Sequence, residues 1–144
     1  MERQMVKGKY ATVSLVLRND CEYVAKTNDK EKLIQNKSTF LTLFNEISIL
    51  RALNHESAIK LYEVYEDRNN IHLIMEYLKG GELFMKINKN SNFSERDACE
   101  IMKELLIAVE YIHSNIIIHR DLKPESIILV YCSDLETIAL TNSK

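Results

Sequence analysis

His119-Arg120-Asp121-Leu122-Lys123-Pro124-Glu125-Ser126 sits between two short apolar runs, Ile116-Ile117-Ile118 and Ile127-Ile128-Leu129-Val130. Runs of that length, rich in β-branched side chains and bounded by polar residues, read as short strands with a charged loop between them. Upstream, Ser94-Glu95-Arg96-Asp97 has the layout of a capping box, with an acidic residue three positions after the cap. Ala98, Ile101, Met102, Leu105, Ala108, Val109 and Ile112 then fall on one face of a helix predicted over 95–114.

Working back toward the start, Gly80-Gly81 interrupts the pattern, and a short helix is expected over 82–88. Residues 59–65 and 71–77 read as two strands joined by the turn Asp67-Arg68-Asn69-Asn70. Ser38 or Thr39 is placed to cap a helix running to about residue 53, with Phe40, Leu43, Phe44, Ile47 and Leu50 at helical spacing. Residues 28–37 are polar and loop-like, while 12–17 and 23–26 read as brief strands. Strands, one helix, two strands and then helices make an α+β order.

The totals narrow the function classes. A chain of 144 residues with formal charge −2 is long enough for a core, and its mixed charges argue against nucleic acid as a main partner. No apolar run approaches the roughly 18 residues of a membrane span, and Met1-Glu2-Arg3-Gln4 lacks a signal-peptide layout. Cys21, Cys99 and Cys132 are scattered, with no Cys-x-x-Cys pair. They read as reduced thiols of an intracellular protein, cytoplasmic or nuclear, which leaves the sequons at Asn36 and Asn92 without a role.

Taken in order, these segments resemble a eukaryotic protein kinase. The central stretch fits the catalytic-loop pattern H-R-D-L-x-x-x-N at every position but the last. Glu63-Val64-Tyr65-Glu66-Asp67 and Met75-Glu76-Tyr77-Leu78-Lys79-Gly80-Gly81-Glu82-Leu83 are most similar to the calcium/calmodulin-dependent group of serine/threonine kinases. The resemblance implies a complete or nearly complete antiparallel β N-lobe and hinge over 1–78, and a partial, mainly helical C-lobe over 79–144.

It also implies roles. Lys26 would hold the α- and β-phosphates of ATP, with Glu46 as its ion-pair partner. Asp121 would accept the proton of a substrate hydroxyl, and Lys123, typical of serine/threonine kinases, would sit near the transferred phosphate. Val6, Gly8, Val13 and Val24 would line the nucleotide from the glycine-rich loop and its neighbouring strands. Met75 would guard the back of the adenine pocket, the backbone of Glu76 and Leu78 would bond adenine, and Ile128 would form its floor. Glu82 would contact ribose or a basic substrate side chain. Magnesium would be expected at Ser126 and Asn142.

Three departures set the limits of that resemblance. Of the three loop glycines only Gly8 is present, with Val6 and Ala11 at the other two positions, which predicts weaker phosphate cradling. Ser126 replaces the asparagine that ligates magnesium. Thr137-Ile138-Ala139-Leu140-Thr141 resembles the strand leading to D-F-G, so Asn142-Ser143-Lys144 stand on those three positions. Both protein-derived metal positions are thus altered. The family's activation loop and substrate platform would lie beyond this match. Seven wet apolar side chains on the 95–114 helix would forfeit on the order of 10 kcal/mol, so the chain is expected to be unstable, aggregating or covered by a protein partner. Three readings stay open: an ATP-binding serine/threonine kinase homologue with some transfer, a non-catalytic kinase-like binding module, and an inactive truncated product.

Overall fold

The structure, a computed structural model, describes residues 2–8, 11–89, 93–132 and 135–140, with the side chains of these except at 2–4, 6–7, 131–132 and 135–137. It divides into two units, one of residues 1–52 and 60–77, the other of residues 53–59 and 78–144.

The first unit is a five-stranded antiparallel sheet with two helices. Its strands are β1 (Glu2–Lys7), β2 (Ala11–Arg18), β3 (Cys21–Asp29), β4 (Leu61–Glu66) and β5 (Asn70–Glu76), in the order β1-β2-β3-β5-β4. Asn19 and Asp20 close the β2–β3 hairpin with φ of 51° and 60°, the left-handed pair that a two-residue turn requires and that Asn and Asp tolerate. Helices α1 (Lys30–Ile34) and α2 (Lys37–Ala52) follow β3. On α2, Leu43, Ile47 and Leu50 are buried as the spacing predicts, each worth about 1.5–3 kcal/mol of transfer free energy. Phe44 is exposed, its ring 4.8 Å from that of Phe40.

Residues 28–37 are not the loop that their polarity suggests. Asn28 is buried within β3, its amide donating to the Ile71 carbonyl at 3.3 Å. Asp29 caps α1 by accepting the Glu31 and Lys32 amides, and Leu33 is buried. Asn36, rather than Ser38 or Thr39, starts α2, its Oδ1 accepting the Ser38 amide at 3.1 Å. The polar residues there are caps and a ladder bond, which composition alone mistakes for a loop.

The β4–β5 turn is fastened to the strands beside it. Asp67 accepts the Asn69 and Asn70 amides, each at 2.7 Å, and its Oδ2 lies 2.8 Å from His72 Nε2. The other ring nitrogen of His72 meets the Thr27 hydroxyl at 3.0 Å. Lys30 pairs with Glu66 at 2.7 Å and donates to the Asp67 carbonyl. The His72 hydrogen bond, and then the two backbone amides, hold the Asp67 carboxyl far below the usual carboxylate range.

The second unit holds α3 (Leu83–Lys89), α4 (Glu95–Ser114), a single 3₁₀ turn (Pro124–Ser126) and the antiparallel hairpin of β6 (Ile127–Cys132) and β7 (Leu135–Leu140). The capping box forms, with the Asp97 amide donating to Ser94 Oγ at 3.1 Å and the Ser94 amide to Asp97 Oδ2 at 3.0 Å. Residues 53–59 belong to this unit through the Asn54 amide on the Tyr111 hydroxyl (2.9 Å), a His55–Tyr111 ring stack (4.4 Å) and the Leu140 amide on the Ser57 carbonyl (2.9 Å). No helix among the described residues is long and apolar enough to cross a membrane.

Two expectations are corrected here. The predicted face of α4 is not left wet: Ile101, Ala108 and Ile112 are buried against Leu83, Ile127, Leu129, Ile138 and Leu140, because the β6–β7 hairpin lies on it. Ala98 is exposed nonetheless, and so are Met102 (53%) and its off-stripe neighbour Leu106 (62%). Nor is Ile116-Ile117-Ile118 a strand. The Ile117 amide bonds the Ile112 carbonyl at 3.0 Å and the Ile116 amide the His113 carbonyl at 2.9 Å, the paired bonds of a Schellman cap ending α4. Ile116 occupies the left-handed position with φ of 61° while 94% exposed, a place suited to glycine.

Two outcomes follow. Ile116→Gly should raise stability by about 1 kcal/mol, since the left-handed strain of a β-branched residue exceeds the extra entropy of glycine; urea unfolding measures it. Asp67→Asn should lower Tm at pH 7. Because the folded carboxyl titrates below its unfolded value, that stabilisation is complete above about pH 4 and fades as the pH falls further. Melts in acid should therefore bring parent and variant together.

Candidate functional site

In the first unit the strand register assembles one face. Val13 lies opposite Lys26, and Lys26 opposite Leu73, while Val24 lies opposite Met75. Directly opposed residues share a face, as do positions two apart on one strand. Val13, Val24, Lys26, Leu73 and Met75 are therefore on the same side of the sheet. Met75 and Leu73 are buried there, and Val13 and Val24 are half-buried.

Glu46 comes from the buried side of α2, between Leu43 and Ile47. Lys26 Nζ donates to both of its carboxylate oxygens, at 2.7 and 3.0 Å. The two side chains are 15% and 8% exposed, so the pair is close, charge-assisted and largely out of water. A two-oxygen clasp leaves the ammonium fixed in direction with a third N–H to offer, the arrangement needed to present a positive charge to an anion without rearrangement.

The Gly8 amide donates to the Ala11 carbonyl at 2.8 Å, and a Cβ at Gly8 would come within 3.2 Å of that oxygen. Val6 pairs in register with Val13, and its side chain lies outside the described residues. At the far end of β5, the Glu76 amide already donates to the Lys60 carbonyl at 2.9 Å, which restricts any adenine contact at Glu76 to its carbonyl oxygen.

In the second unit, Leu78 is half-buried and the chain then turns through Gly80 and Gly81. A Cβ on Gly80 would lie 2.0 Å from the Leu129 carbonyl oxygen, so only glycine permits this approach. The sequence shows Gly80 merely as a break in pattern. The Leu129 amide donates to the Gly81 carbonyl, and Glu82 bridges to Ile128. The Glu82 carbonyl accepts the Met85 and Lys86 amides of α3 while its side chain is exposed.

The loop from His119 to Ser126 brings Asp121 and Lys123 together, with Lys123 Nζ 2.9 Å from Asp121 Oδ2. Arg120, just before, has φ of 66°, a left-handed conformation of the kind that clusters in functional loops. Ser126 is fully buried, and its Oγ lies 2.8 Å from the Asp121 carbonyl oxygen and 2.9 Å from that of Lys123. Asn142 lies outside the described residues.

Of the two expected metal positions, Ser126 is the described one, and its surroundings do not fit magnesium. The ion takes oxygen ligands in octahedral geometry and keeps several waters, whereas the one side-chain oxygen of Ser126 is enclosed among backbone groups. No cluster of three or more His, Cys, Asp or Glu side chains suited to a metal occurs among the described residues.

The protein kinase domain family model matches residues 1–139. Calcium-dependent protein kinase 5 of Plasmodium berghei (strain Anka) is 51% identical over 130 residues, covering 89% of this chain and 22% of that protein. Calcium/calmodulin-dependent protein kinase type 1 of Macrobrachium nipponense is 44% identical over 93 residues, covering 65% of this chain and 27% of that protein. The chain thus spans about a fifth to a quarter of the length of the curated relatives it matches. Among solved structures, Rad53 1-466 in complex with AMP-PNP superposes with a TM-score of 0.85 at 28% identity, covering 95% of this chain and 36% of that one.

The buried pair makes its own prediction. Glu46→Leu strands the Lys26 ammonium and should cost on the order of 3 kcal/mol. Adding Lys26→Met to that variant should recover most of the loss, because an apolar pair replaces the charges. Denaturant unfolding of both singles and the double measures the coupling, and additive effects would contradict the pairing.

Proposed function

The chain belongs to the protein kinase domain family, and on that premise we propose that it is the ATP-directed part of a serine/threonine-type kinase. The observation that carries this reading is the clasp of Lys26 by Glu46. A buried ion pair is weak evidence for stability, because desolvating two charges offsets their attraction. An ammonium clasped by both carboxylate oxygens beside a half-buried apolar face is better explained by an anionic ligand with a flat apolar part. ATP has that chemistry: its phosphates would meet Lys26, and its adenine would lie against Val13, Val24 and Met75.

In the second unit Asp121 would accept the proton of a serine or threonine hydroxyl, and Lys123, now paired with it, would turn to the phosphate that arrives. Transfer to protein serine or threonine is then the activity proposed for the longer protein. The free, exposed thiols of Cys21 and Cys99 support an intracellular setting.

A second reading, nucleotide binding without transfer, is favoured by one observation. The position that should ligate metal holds a serine whose oxygen is enclosed.

Melting the chain with and without ATP tests the first reading. ATP at tenfold its Kd should stabilise by about 1.4 kcal/mol, raising Tm by several degrees. Lys26→Met should abolish the rise, and equal protection of that variant would contradict the assignment. Phosphate transfer from ATP to serine peptides separates the two readings: incorporation lost in Asp121→Asn supports catalysis, and none above that variant supports binding alone.

A further inference from the structure

Ser126 makes a set of contacts that the family pattern does not foreshadow. Its side chain is 0% exposed. Its hydroxyl approaches two carbonyl oxygens, of Asp121 at 2.8 Å and Lys123 at 2.9 Å, and accepts the Lys123 amide at 3.2 Å. The Ser126 amide donates to the Lys123 carbonyl at 2.9 Å, so side chain and backbone both close the same short turn.

We infer that Ser126 is a positioning residue that locks the 119–126 loop, and that position 126 engages no divalent cation. The inference rests on reading this loop as the phosphoryl-transfer loop, and it deepens that reading by reassigning one residue. The physical reason is a count of polar atoms. A carboxamide has two ends: its N–H₂ can bond backbone carbonyls while its oxygen faces an ion. A hydroxyl has one oxygen and one proton, and here both serve the loop. No face of that oxygen is open to a cation that arrives with its water.

The lock has a consequence for Asp121. Its carbonyl is held by Ser126 Oγ and its carboxylate by Lys123 Nζ, while the Lys123 backbone is held by Ser126 in turn. Asp121 is therefore gripped at both ends by residues of its own loop. The residue immediately before it, Arg120, is left-handed with φ of 66°. A serine here preserves the shape of the loop and gives up the metal function.

Amide hydrogen exchange and a manganese(II) titration, both followed by NMR on the intact chain without nucleotide, test this. In the parent, the Lys123 and Ser126 amides should be protected, and manganese should leave their signals as sharp as those of the β2–β3 ladder. Ser126→Ala should speed Lys123 amide exchange about tenfold, as loss of one buried hydrogen bond implies. Ser126→Asn should keep that protection and gain manganese broadening at residues 123 and 126. Selective broadening of the parent's Lys123 and Ser126 signals would show the hydroxyl to be a ligand and overturn the proposal. Unchanged exchange in Ser126→Ala would overturn the lock. If that variant does not fold, the parent's manganese titration and Ser126→Thr, which should retain protection, decide the matter. No readout uses ATP, so the lock and the Lys26 assignment can fail independently.

Discussion

Lys26 stands on the middle strand of a five-stranded sheet, and Glu46 stands on the helix that follows; their largely buried ion pair links those two layers. The apolar residues of α2 could pack on the sheet in several registers, since hydrophobic contact is non-directional. A carboxylate that must meet an ammonium with both oxygens removes that freedom, because a slip of one turn would leave two charges desolvated and unpaired. The pair therefore fixes which face of α2 meets the sheet. By the same act it aims a positive charge along the face shared by Val13, Val24 and Met75.

The second unit is organised by backbone constraints instead. Gly80 passes so close to Leu129 that no side chain fits, which sets the β6 strand against the turn before α3. The β6–β7 hairpin then covers Ile101, Ala108 and Ile112, so α4 has a core of its own to pack on. Between α4 and β6 the chain carries two non-glycine residues in the left-handed region, Ile116 and Arg120. Ile116 ends the helix; Arg120 opens the loop that Ser126 closes. Within that loop Lys123 Nζ lies 2.9 Å from Asp121 Oδ2.

Much of this was legible in the sequence wherever a pattern repeats. The capping box at Ser94 and the stripe through Ile101, Ala108 and Ile112 defined α4, and the Asp67–Asn70 turn marked the β4–β5 hairpin. What escaped was what single residues do out of pattern. Three isoleucines look like a strand, yet a helix cap imposed a left-handed turn on the first of them. Polar residues 28–37 look like a loop, yet Asn28, Asp29 and Asn36 serve as ladder bond and caps. At the candidate site, spacing within a family pattern nominated Lys26, Glu46, Asp121 and Ser126, but residue type could not say which way the Ser126 hydroxyl points. That direction depends on two carbonyls brought near by the turn of the loop.

On the function proposed, Lys26 is the cation presented to nucleotide phosphates. An ATP derivative carrying an acyl phosphate transfers its acyl group to the lysine amine lying against those phosphates, and peptide mass spectrometry identifies that lysine. Acylation should concentrate on Lys26 and be suppressed by excess ATP. Labelling spread over exposed lysines such as Lys32, with Lys26 unmodified or unprotected by ATP, would contradict that assignment.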